Sequence, residues 1–117
     1  MTGFTLVEIM IVVAIIGLLA AIAIPNFVRA RTTSQKNACI NNLRQYDAAL
    51  QEYALENSLA STATYALANL IPYVKTNSLG QLPACPGGGT YSPGAGATVV
   101  ASPVCSLSGG TTGHNLP

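Results

Sequence analysis

The strongest constraint on this chain is a run of 21 residues at positions 4–24, FTLVEIMIVVAIIGLLAAIAI, whose only charge is Glu8. A helix of about 20 apolar residues spans the hydrocarbon core of a bilayer. The run therefore belongs in lipid. A carboxylate there costs roughly 2.5 kcal/mol or more near the bilayer centre, and less toward its edges. A chain that keeps one usually has a partner for it, and the identity of that partner is the question of function.

The whole chain has 117 residues, enough for one small domain. What is left outside the apolar run is too small for an ordinary enzyme with a deep cleft, and no catalysis is expected. Charged residues make up 8% of the sequence, about a third of the ~25% usual in soluble proteins. The net charge of +1 gives no long-range field, so nucleic-acid contact is not indicated. All four acids (Glu8, Asp47, Glu52, Glu56) lie in the first half; beyond Glu56 the only formal charge is Lys75, with His114 titratable. Such a neutral surface favours self-association.

Topology is ambiguous at this level. Hydropathy alone gives a single-pass anchor. Arg29, Arg31 and Lys36 follow the run, which by the positive-inside rule places the C-terminal part in the cytoplasm. Three cysteines (Cys39, Cys85, Cys105) suit an oxidising compartment instead.

Pro25 lacks an N–H and opposes the carbonyl of Ala21. Together with Gly17 it makes 17–25 the weakest stretch of the helix. Either the helix ends at Ile24, or a longer helix is kinked or locally unwound there. The helical pattern resumes beyond it. Cys39, Leu43, Tyr46, Leu50 and Tyr53 are spaced 4, 3, 4 and 3, one apolar stripe on an amphipathic helix. The spacing predicts one helix over 5–56, on the order of 75 Å long, a rod that needs neighbours.

The remainder reads as a small cap, giving an α+β fold: a long N-terminal helix, a short helix, and two or three antiparallel strands. A polar linker leads to a short helix over 64–70, stopped before Pro72. Strands are expected at 89–92 and 98–101, joined by the SPGAGA turn; low complexity would alternatively mean disorder. Cys85 and Cys105 flank both strands, which argues for a disulfide-stapled loop worth roughly 3 kcal/mol. Cys39 then remains a buried free thiol, with a Cys39–Cys85 pair as the competing arrangement.

The motif GFTLVE at 3–8, the 16 unbroken apolar residues after Glu8, and Pro25 together resemble the N-terminus of a type IV prepilin. The resemblance covers roughly residues 3–57. The later part looks like the caps of type II secretion G-type pseudopilins, in which CPGGGTY and PVCS would edge a disulfide-bounded loop between Cys85 and Cys105. This divides the chain into a short leader (1–3), a hydrophobic membrane and filament-core helix (4–25), an amphipathic helix (26–57) and a loop-rich cap (58–117). The resemblance implies cleavage between Gly3 and Phe4 by a prepilin peptidase and methylation of the new Phe4 amine. The leader lacks the basic residues typical before that cut. It also implies a cap outside the cytoplasmic (inner) membrane. An assembly ATPase and a platform protein would then lift subunits into a helical homopolymer. Glu8 would pair with the Phe4 amine of a neighbouring copy, and the Gly17–Pro25 stretch would unwind on leaving lipid. The expected product is an extracellular pilus-like filament. The alternatives are a periplasmic secretion pseudopilin and, from another class, a monomeric membrane-anchored binding protein.

No cofactor or metal is expected. G-type pseudopilins usually hold calcium through loop carboxylates, and this chain has no Asp or Glu after Glu56. Zinc is set aside because the three cysteines and His114 are far apart in sequence, with no second ligand near any of them. The glycines at 87–89 are read as a turn, since no Lys-Ser/Thr follows. The five tyrosines are read as packing residues, not a charge-transfer path.

Overall fold

A computed structural model describes residues 3–109 and 113–117. Met1 and Thr2 of the expected leader lie outside the described residues. The chain divides into two compact units, Met1–Thr32 and Thr33–Pro117. One helix, α1 (Leu6–Glu56), runs through 51 residues of both.

The first unit is helix with an apolar surface on all sides. Every large apolar side chain from Phe4 to Val28 is exposed. Pro25 lies inside α1, and the helix continues through it. One missing N–H among so many helical bonds is absorbed without a break, so the alternative of a helix ending at Ile24 falls away.

In the second unit the apolar stripe becomes the core. Cys39, Leu43, Tyr46 and Leu50 are almost wholly buried, and Ala49 joins them. One cluster packs Tyr46, Ala49 and Leu50 against Tyr65, Leu70, Val74 and Val99. A second packs Cys39 and Leu43 against Cys85 and Cys105. Two tyrosine contacts extend the first cluster. The Tyr46 and Tyr91 ring centroids are 5.0 Å apart, and those of Tyr53 and Tyr73 are 6.0 Å apart.

Two local expectations are corrected. The short helix is a 3₁₀ segment at Leu67–Tyr73 with Pro72 inside it, not a helix over 64–70. Its start is set by Asn69, whose side chain accepts the Ala66 N–H at 2.8 Å. The strands are β1 (Tyr91–Ser92) and β2 (Val104–Cys105), antiparallel, with Tyr91 opposite Cys105. The stretch expected as the second strand turns away instead. Thr98 forms a bridge with Thr64, the Val99 N–H donates to the Ala63 carbonyl at 2.9 Å, and the Tyr65 N–H donates to that of Ala97 at 2.8 Å. Its β-forming residues pair with the linker, and Val99 enters the core. The turn is made at Ala95–Ala97, where Gly96 has φ 72°.

Candidate functional site

At the N-terminus, Thr5 and Glu8 cap α1 reciprocally. The Glu8 N–H donates to Thr5 Oγ1 at 3.2 Å. Glu8 Oε2 accepts from the Thr5 N–H at 2.7 Å and from the Thr5 hydroxyl at 3.0 Å. This is a capping box, which satisfies two backbone donors that a helix start leaves orphaned. Glu8 therefore has a partner within its own chain, one that reading it only as a charge in lipid missed. The signal was present as Thr-x-x-Glu at 5–8. Both bonds engage Oε2; Oε1 makes none among the described residues. Gly3 and Phe4, the expected cleavage pair, are exposed. Gly17 is exposed too, and a Cβ placed there would meet nothing within 4 Å.

The cap holds a second constellation. Three side chains on α1 bind the loop around Cys85 by its backbone. Gln35 donates to the Pro86 carbonyl at 3.3 Å. Asn42 donates to that of Ala84 at 3.2 Å. The Tyr46 hydroxyl donates to that of Pro83. Positions 35, 42 and 46 share one helix face, so this row aligns the loop beside Cys39. From the other side, the Tyr91–Cys105 pairing of β1 and β2 delivers Cys105. The C-terminal segment delivers His114, steadied by Asn115, which donates to the Ser108 carbonyl at 3.1 Å.

The result corrects the reading of Cys39, Cys85, Cys105 and His114 as distant groups. All four are buried, and their ligand atoms lie within 4.8 Å of one another. Cys85 Sγ and His114 Nδ1 are 3.5 Å apart. The three thiols are free, in place of the expected Cys85–Cys105 disulfide. Four groups converge on one point, so no two of them are singled out as a bonded pair.

Two glycines make this approach possible. A Cβ on Gly89 would stand 2.6 Å from Cys105 Sγ, and one on Gly87 would stand 2.9 Å from His114 Cε1. Gly88 between them has φ 86°. Burial pushes the Cys85 thiol up. Hydrogen bonds from Cys39, from the backbone N–H groups of Gly87 and Gly89, and from His114 outweigh that and bring it down to about 6. Burial, with Cys85 and Cys105 alongside, pushes Cys39 up to about 12 although the Tyr91 hydroxyl donates to its sulfur at 3.5 Å.

An exposed apolar helix long enough to cross a membrane, opened by a capped Thr-x-x-Glu, defines a membrane-anchored subunit with a small folded cap. A model of the prokaryotic N-terminal methylation motif matches residues 2–24. Type II secretion system core protein G of Escherichia coli (strain K12) is 32% identical over 99 residues, covering 76% of this chain and 68% of that protein. The protein of the same name from Vibrio cholerae serotype O1 is 31% identical over 110 residues, covering 84% of this chain and 75% of its own. The type IV major pilin protein PilA of Myxococcus xanthus is 60% identical over 42 residues, covering 36% of this chain and 19% of PilA. No solved structure matches the chain. The chain belongs to the family of type IV pilins and type II secretion pseudopilins. Motif, apolar helix and relatives together fit anchoring in a membrane followed by a place in a pilus or periplasmic filament.

Proposed function

We propose that this protein is the structural subunit of a type IV pilus-like filament, built by packing the apolar half of α1 against other copies. The observation that carries this is the uninterrupted exposure of the large apolar side chains between Phe4 and Val28 in a chain with the methylation motif. Exposed apolar surface on that scale marks a membrane or an assembly partner. A prepilin peptidase would cut between Gly3 and Phe4 and methylate the new amine. An assembly ATPase and a platform protein would then move the subunit from the inner membrane into the filament.

Glu8 has two roles in this reading. Its Oε2 caps the helix through Thr5, while Oε1 is left to accept from the Phe4 amine of a neighbour. Two unit charges ~4 Å apart gain about 4 kcal/mol at an effective dielectric of 20. Methylation leaves the amine basic, so the charge survives. The Gly17–Pro25 stretch, helical in the single chain, is where helix would be given up as the subunit leaves lipid.

A second reading, a pseudopilin of a periplasmic secretion filament, is favoured by the reach of the core protein G relatives across the cap. The lack of carboxylates after Glu56 weighs toward the pilus.

The test is electron microscopy of sheared surface material and of periplasm, with the mass of the N-terminal peptide. Long external filaments whose subunits begin at N-methylated Phe4 are expected. Filaments confined to the periplasm would select the pseudopilin. An intact Met1 and no polymer in either fraction would leave a monomeric anchored protein. Glu8→Gln keeps an acceptor for the cap but removes the charge, and it is expected to abolish filaments while the helix persists. Normal filament yield from that variant would sink the charge-pairing role.

A further inference from the structure

We propose that Cys39, Cys85, Cys105 and His114 form a tetrahedral site for a thiophilic divalent metal ion, zinc above all, which fastens the cap to the second half of α1.

Geometry is the first argument. Metal–sulfur and metal–nitrogen bonds of about 2.3 and 2.0–2.1 Å put tetrahedral S···S and S···N edges at ~3.8 and ~3.5 Å. The Cys85–His114 edge already stands at 3.5 Å, and every other pair lies within 4.8 Å. Closing the set needs contraction of about 1.3 Å at most. The four donors come from four places: α1, the Cys-Pro-Gly-Gly-Gly turn, β2 and the C-terminal segment.

Donor chemistry is the second. Three thiolates and an imidazole are a known structural zinc set, closed to water and substrate. Soft sulfur in tetrahedral array selects zinc over calcium or magnesium. The third is parity. A disulfide between any two of the cysteines would strand one buried thiol and the chain's only histidine, itself 2% exposed. A metal ion uses all four groups.

The surroundings are built for thiolates. The Tyr91 hydroxyl donates to Cys39 Sγ at 3.5 Å. Such outer donors orient metal ligands and spread their charge. With a dication bound, all three cysteines are thiolates, their remaining thiol protons pass to solvent, and the site carries a net charge of minus one. A nearby cation is at hand: Lys36 Nζ lies 3.7 Å from the point where a Cβ on Gly113 would stand, next to His114.

The experiment uses the full chain, reduced, in detergent micelles, so its outcome is independent of polymerisation. Zinc and cobalt(II) are the probes. The expected result is one ion per chain. Cobalt should show thiolate charge-transfer absorption and the intense d–d bands of a tetrahedral centre, and zinc should raise the Tm. Cys39→Ser, Cys85→Ser, Cys105→Ser and His114→Ala should each weaken binding roughly 10-fold or more, and Tyr91→Phe, which spares all four ligands, by about 10-fold. Octahedral cobalt without charge transfer would overturn the proposal, as would much less than one ion per chain. So would protein taken directly from cells that is metal-free and shows one titratable thiol, not three, after unfolding. These wild-type measurements decide the matter even where a variant fails to fold.

Discussion

Gly87, Gly88 and Gly89 look alike in the sequence but are constrained for different reasons. Gly88 is held by its backbone angle. Gly87 and Gly89 are held by contact with His114 and Cys105. Gly89→Ala should lower stability by about 1–3 kcal/mol through overpacking, read as a lower thermal midpoint by circular dichroism. Gly109→Ala should be neutral, since a Cβ there meets nothing within 4 Å among the described residues. The triplet was legible as a turn; the need for glycine at its outer positions was not, because it comes from residues distant in the chain. Tyr46 makes a similar point. Its place on the core stripe follows from spacing, but its bond to the Pro83 carbonyl does not. Tyr46→Phe leaves that carbonyl without its donor and should cost about 1 kcal/mol in chemical denaturation.

Among the elements, α1 was the most legible because its signals are local and repeated: a long apolar run, then a 3–4 stripe, with no Gly or Pro after Pro25 until the cap. The second strand was the least legible. Residues 98–101 have strand-forming composition, yet composition does not name a partner, and the partner is the linker at 63–65. The helix offers a clean test of melting. Gly17→Ala adds a methyl where nothing is near and should strengthen the helix by about 1 kcal/mol. Amide exchange around position 17 in micelles should slow roughly fivefold with the cap's thermal midpoint unchanged. If residues 17–25 must unwind on assembly, filament yield falls with it; undiminished yield would show that they stay helical.

For the molecule as a whole, burial makes the tyrosines a common source of alkaline sensitivity. Burial pushes Tyr46 up to about 12 and raises Tyr65 and Tyr91 as well. Their unfolded value is about 10, so the unfolded chain releases these protons first. The stability they confer is complete below about pH 10 and is lost as pH rises toward 12. Urea midpoints between pH 9 and 12 should fall accordingly, and less steeply for Tyr46→Phe. The Cys–His cluster was hidden at this scale because its members are separated by tens of residues, while motif spacing detects only neighbours. An odd cysteine count and a solitary histidine were the available hints. Finally, Gln35, Asn42 and Tyr46 grip the loop at 83–86 through main-chain carbonyls alone. The anchor is thus blind to which side chains the loop displays. Substitutions at 83, 84 and 86 that keep the backbone path should therefore leave the loop moored in the same place.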